Sequence, residues 1–456
     1  MGYGAAANGV ERWVRTSPSR HARGAMPFRR LALGLSFLSA LGCGDTDRPP
    51  QLTDSRARPI QGCERFSYET CDVLERPCQT ELFGLMACLR GESASAGEPP
   101  VVRLLNEADA IALVAQSDEG VSLPTLAVDF QAQIRGLELL GLLDPGSIEQ
   151  ESDVLEVTIA SVLAFYLPPT REVIMIDRGA QLAGSVAMGV LAHELVHALQ
   201  DASHGLAEFT GSLDIDSDAR LARTSVVEGE ATLYQRIIML AQEGLDLDGA
   251  NSAEWFDYLT RAASELSFGA GSPLFTAGGI FPYTYGTRYA GAEWLEGKSE
   301  ALDALFDAPP ASSLEVMRSS DSPMPALHAF RTVPAALDGY ALVGDDVAGA
   351  WVASAVLLGL SPDEEAASSL RALADRWRGD RFWIYQSTGS EAAVAALWAI
   401  EWADADAAAH FAEGFTSLPG GDQARVEVMG ASTHVAVAER RVELTAWVDR
   451  LGATAP

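Results

Sequence analysis

Two histidines four positions apart, His193 and His197, enclose Glu194 within residues 181–203, a run rich in Ala and Leu and free of Pro. That run predicts a helix. Gly184 and Gly189 are tolerable interior breaks, and Gly205 stands where a C-terminal stop belongs. On a helix, side chains four apart share one face, about one turn apart. Two imidazoles so placed can reach one Zn²⁺ at about 2.0–2.1 Å each. Glu194, one position beyond the first imidazole, then lies beside the open coordination position. A carboxylate there can accept a proton from the attacking water and return it to a leaving amine. The chain has only 7 His in 456 residues, so the pattern is rare by chance. One zinc ion per chain is the expected cofactor.

Zinc of this kind needs a third protein ligand and an open fourth position. In metzincins the pattern continues to a glycine and a third histidine. Here those positions hold Gln200 and Ser203, and His204 is one residue out of register. The alternative is a glutamate from a second helix. Residues 225–241 read as that helix, and Glu228-Gly-Glu-Ala231 resembles the third-ligand motif of gluzincins. By that resemblance Glu228 is the ligand. Glu230, two positions on, points to another face of the helix and is the second choice. Small residues beside Glu228 are expected to let this helix approach the zinc helix closely.

Upstream, residues 162–177 read as two strands around Pro168-Pro169. In zincin-like folds a sheet edge beside the zinc helix binds extended substrate by strand addition; an ordinary buried hairpin fits the same residues. Downstream, residues 348–360 predict a helix, 381–386 and 394–402 predict strands, and 403–415 a further helix. The expected class is α+β: a zincin-like core, made of a small mixed sheet, the zinc helix and the second ligand helix, followed by a C-terminal α+β unit. An electrophile for a tetrahedral oxyanion is also expected. Tyr283, Tyr285 and His328 are the candidates, and the sequence does not choose among them.

Residues 1–42 carry six arginines against one acid, then an apolar run from Leu31, too short to span a membrane. This predicts a secretory signal, with Met26 an alternative start to Met1. Ala40-Leu-Gly-Cys43 resembles a bacterial lipobox, which implies a lipid on Cys43 and anchoring to the cell envelope. Four cysteines then remain, Cys63, Cys71, Cys78 and Cys88. An exported chain favours two disulfides among them, with three connectivities open. Their spacing does not fit the close pairs of a four-thiolate zinc site. The expected organisation is a signal at 1–42, a tether and Cys-rich module at 43–100, a catalytic domain at 101–340 and a C-terminal domain at 341–456. The net charge of −31 argues against nucleic acid as a partner.

The order of motifs over residues 155–415 resembles a poorly characterised group of bacterial and archaeal gluzincin-type metallopeptidases. The matching segments include Val227-Glu-Gly-Glu-Ala231, Phe281-Pro-Tyr-Thr-Tyr-Gly286, Pro309-Pro-Ala-Ser-Ser-Leu-Glu-Val-Met317 and Trp377-Arg-Gly-Asp-Arg381. The resemblance implies His193, His197 and Glu228 as metal ligands and Glu194 as general base and acid. It implies an exported zinc peptidase acting on peptide or protein substrate, with no particular substrate named. Two alternatives stand beside it: a catalytically silent envelope lipoprotein that uses the same fold for binding or assembly, and a zinc hydrolase of non-peptide amides.

Overall fold

In the computed structural model the hairpin around Pro168-Pro169 forms as expected and belongs to a three-stranded sheet. The structure describes residues 62–66, 69–92, 97–116, 130–179, 184–211, 215–242, 272–318, 323–330, 333–334, 339–357, 364–389, 392–418, 421–440 and 444–452. The expected signal at 1–42, Cys43 and the expected tether to residue 61 lie outside them.

Strand β1 (Val101–Leu105) runs parallel to β3 (Glu172–Ile176), and β2 (Ala164–Leu167) pairs antiparallel with β3 on its other side. Central β3 is an apolar run buried from Val173 to Ile176, as a strand covered on both faces must be. Helices α2 (Glu107–Gln116) and α4 (Glu151–Ser161) cover one face through Val114, Leu155 and Ile159 around Ile176. The β2 edge lies beside α5 (Gly184–His204), the long helix that carries the histidines. Gly184 does not interrupt this helix. It starts it at φ +59°, and Gly205 ends it at φ +69°, a left-handed stop that glycine adopts without steric cost. Asp201 then fixes the exit by accepting from Leu206 N–H at 3.0 Å.

Helix α5 packs against α7 (Ser217–Gln242), longer by several N-terminal residues than the motif suggested. The two helices close at Gly189, where a Cβ would sit 2.9 Å from the Met239 sulfur. The small residue at Gly229 serves a different contact from the one expected. It faces the π-helical turn Pro282–Gly286, and a Cβ on it would come 2.3 Å from the Gly286 carbonyl oxygen.

The C-terminal part holds more strand than the sequence suggested. Strands β4 (Tyr340–Asp346), β5 (Trp377–Ser387), β6 (Val394–Trp402), β7 (Arg425–Met429) and β8 (Ser432–Ala438) form one antiparallel sheet in the order β4-β5-β6-β8-β7. Strand alternation sends Ala396, Trp398 and Ile400 of β6 to one face, with Trp398 edge-on to Phe411 of the helix Ala405–Ser417. Leu397 and Ala399 go to the other face, under Trp447 of the helix Leu444–Gly452.

The expected boundaries at 100/101 and 340/341 do not divide the core. A single buried cluster joins Met86 of α1 (Arg76–Leu89), Leu191 of α5, Tyr234 of α7, Trp351 and Val437 of β8. The cysteines form two nested bridges, Cys63–Cys88 and Cys71–Cys78. They staple α1, which is no detached module: it packs directly on α5. Closing the longer loop removes roughly 3–4 kcal/mol of chain entropy from the unfolded state. Among the described residues no helix is long and apolar enough to cross a membrane.

Candidate metal centre

Helices α5 and α7 bring His193, His197 and Glu228 to one point. The Nε2 atoms of the two histidines lie 3.0 Å apart, and Glu228 Oε2 lies 3.1 Å from His193 Nε2 and 3.4 Å from His197 Nε2. Donors bound at about 2.0–2.1 Å in tetrahedral geometry are about 3.3 Å apart, so the triangle has the size that an ion capping it requires. Both histidines are buried, while Glu228 keeps part of its side chain open. Among the described residues this is the one cluster of three such groups close enough to hold a metal. Two imidazoles and one carboxylate are a donor set suited to Zn²⁺.

The electrostatics fit a cation as well. Burial works to raise the Glu228 pKa, but the His197 and His193 imidazoles overcome it and hold the carboxylate well below its usual range. Burial alone would lower His197, and the Glu228 charge instead pushes it up to about 9. His197 and Glu228 thus compete for a proton at the place where a cation would replace it. Glu194 is buried beside them. Desolvation raises its pKa, against the pull of the two imidazoles, and the Tyr166 backbone N–H on β2 donates to its carboxylate. Tyr166 also donates its hydroxyl to Asp201 Oδ2 at 3.0 Å, so one residue pins the edge strand to the helix at two points.

Behind the triangle stands a buried relay. His197 Nδ1 meets Gln200 Oε1 at 2.8 Å. The Gln200 amide nitrogen donates to Val227 O at 3.0 Å and to Glu230 Oε2 at 2.8 Å, which fixes which end of the amide is the acceptor. Nδ1 of His197 therefore carries the proton, and Nε2 offers its lone pair to the triangle. Glu230 in turn pairs with Arg90, which also holds Glu92 at 3.0 Å. Burial works to lower the Arg90 pKa, and Glu230 and Glu92 reverse that and raise it. His193 Nδ1 is buried without a hydrogen-bond partner.

Of the remaining candidates, Tyr283 is at the centre. Its ring stacks on His193 with centroids 6.0 Å apart, and its hydroxyl hydrogen-bonds Glu228. Burial, then the charges of Glu228 and Glu194, raises its pKa well above the usual phenol value, so it stays a donor. Tyr285 and His328 are elsewhere. Two positions along a helical turn points Tyr285 away from Tyr283, into Phe281 and Trp351 at 5.0 and 5.5 Å. His328 lies against β5, with its N–H bonded to Arg378 O at 2.6 Å and its ring edge-on to Phe330. Glu230, the second choice, lies outside the triangle and reaches it only through Gln200. His204 is apart from the centre, paired with Asp303 at 2.8 Å and stacked on Phe306. Sequence reasoning missed three supports. Gln200 stood three positions after His197 on the same helix face, a readable signal. Arg90 and Tyr166 reach the centre only through tertiary packing, which no local pattern announces.

The family described as a domain of unknown function, DUF8575, matches residues 339–455, which are the C-terminal sheet and its helices. The metal centre lies outside that match. No curated protein and no solved structure matches the chain.

Proposed function

We propose that the protein is a zinc-dependent hydrolase of the gluzincin type with a zincin-like core, and that it cleaves peptide bonds. The observation that carries the reading is the convergence of His193, His197 and Glu228 from two packed helices, with Glu194 buried one position beyond the first ligand. His193 and His197 would hold zinc through Nε2 and Glu228 through its carboxylate. Bound zinc supplies Lewis-acid polarisation of a carbonyl and lowers the pKa of water. Glu194 receives the proton that the attacking water gives up and passes it to the departing amine. Its low-dielectric surroundings keep its proton affinity high enough for both steps. Tyr283, held protonated beside the triangle, is placed to donate a hydrogen bond to a developing oxyanion.

A peptide fits this arrangement better than a compact amide because β2 is an edge strand beside the zinc helix. In its pairing with β3, Tyr166 sits opposite Val173, and its outward N–H already reaches Glu194. An extended chain can add to that edge and bring a carbonyl toward the same carboxylate. The two disulfides fit an oxidising compartment. Lipid attachment at Cys43 is proposed from the lipobox resemblance, and the mass of the mature N-terminus tests it.

Metal analysis and hydrolysis of a mixed peptide library by the wild type and by Glu194→Gln decide the reading. The expected result is stoichiometric zinc in both proteins and cleavage in the wild type only, with the variant reduced by about three orders of magnitude or more. Protein that takes up no zinc would falsify it. Zinc without Glu194-dependent cleavage would instead assign a binding role.

A further inference from the structure

On the far side of the π-helical turn from Tyr283 is a cavity of about 300 Å³. Three guanidiniums border it, from Arg288, Arg318 and Arg371, and one carboxylate, Asp375. Asp375 pairs with Arg318 at 3.2 Å. Arg288 spends one N–H on the Met317 carbonyl at 3.1 Å. Burial lowers the Arg288 pKa and the neighbouring Arg371 charge lowers it further. Like charges held together in a partly dry cavity call for an anion between them. The Tyr285 hydroxyl gives a second, independent sign. It belongs to one of the most buried side chains and borders the cavity; its oxygen faces the Arg371 guanidinium, which can only donate, so its own O–H hydrogen is left without an acceptor among the described residues. A buried donor left unsatisfied costs about 1–3 kcal/mol, which a ligand oxygen accepting from it would recover.

We infer that this cavity binds a small organic anion, led by a carboxylate or phosphate group that takes hydrogen bonds from Arg371, Arg288 and the Tyr285 hydroxyl. Guanidinium forks match both oxyanions in geometry. The volume exceeds that of a bare ion, and Leu314 and Met317 line the rest, so a short apolar body accompanies the charged head. The site is separate from the metal triangle: Tyr283 faces the triangle and Tyr285 faces the cavity.

Titration calorimetry of the full chain with phenyl phosphate, and separately with valerate, at constant ionic strength tests the assignment. Saturable one-to-one binding is expected, weakened at least about tenfold by Arg371→Gln and about threefold by Tyr285→Phe. Phenyl phosphate alone would assign phosphorylated ligands, valerate alone carboxylates, and both the shared chemistry; each supports the site. Binding must also persist in His193→Ala, because loss there would put the anion on the metal centre and overturn the inference. Binding untouched by Arg371→Gln and Tyr285→Phe overturns it too, as does no saturation up to about 50 mM. If circular dichroism shows that Arg371→Gln fails to fold, Tyr285→Phe decides alone.

Discussion

Gln200 touches no metal position, yet it decides which nitrogen of His197 faces the triangle. Its carbonyl oxygen takes the Nδ1 proton only because Val227 and Glu230 hold its amide nitrogen on the other side. Gln200→Ala should therefore lower zinc affinity by about 10–100-fold, as losses behind a metal ligand commonly do. Competition against a chelator of known affinity measures this, and an unchanged affinity would show that the relay does not orient His197. At this scale much of the site was legible. Spacing alone placed His193, Glu194 and His197, because a helix converts a separation of four into a shared face. Glu228 needed a resemblance as well, since nothing local says which distant carboxylate will close a triangle. Tyr283 and Tyr285 were equivalent on paper. The π-helical turn separated them by turning one toward His193 and the other toward the arginine-lined cavity.

Between elements, the contact that positions Glu228 is one of backbone against backbone. Gly229 of α7 meets Gly286, and Gly286 in turn meets Ser225, with no room for a Cβ on either glycine. Gly229→Ala should cost at least about 2 kcal/mol, the upper part of the usual range for overpacking, because the atoms met are carbonyl groups with no rotamer to yield. Urea unfolding measures it, and a loss below about 0.5 kcal/mol would mean that the turn simply moves aside. The hairpin and α5 were readable because turn residues and helical periodicity are local signals. Strand β1 was not, since a five-residue strand pairs in parallel with a partner about seventy residues away and its value lies in that pairing. Strands β7 and β8 escaped for a related reason. Polar residues such as Glu427 and His434 face each other across that pair and mask the alternation.

For the whole molecule, a buried acidic junction joins α7 to the C-terminal sheet. Asp380 accepts from the N–H groups of Ala348 and Gly349 at 2.9 Å each, and from the indoles of Trp377 and Trp398 at 3.0 and 2.8 Å. Asp218, in the first turn of α7, accepts from Ser313 N–H at 3.1 Å and feels the Asp380 charge. Desolvation pushes Asp218 up to about 7 and Asp380 up to about 6. An unfolded carboxylate releases its proton near pH 4. Between there and about pH 7 the folded chain binds more protons than the unfolded one, so the stabilisation is complete below pH 4 and is lost as pH rises. Unfolding free energies at pH 5 and pH 7 should show this loss in the wild type and a shallower one in Asp218→Asn. Equal slopes in the two proteins would remove Asp218 as the source.

The Cys63–Cys88 bridge has a consequence for the order in which the protein matures. Arg90 lies two residues beyond Cys88, and through Glu230 and Gln200 it reaches Nδ1 of His197, the nitrogen opposite the one that faces the triangle. Oxidation of the thiols should therefore precede a fully oriented metal site. A chain still reduced inside the cell holds its histidines without their support and should compete poorly for zinc there. Zinc retention against a chelator should be lower after mild reduction has opened the bridge than before, while it is intact. Equal retention would uncouple the two events. With that coupling, the proposed metal centre would stay unsupported through synthesis and be completed only on arrival in an oxidising compartment.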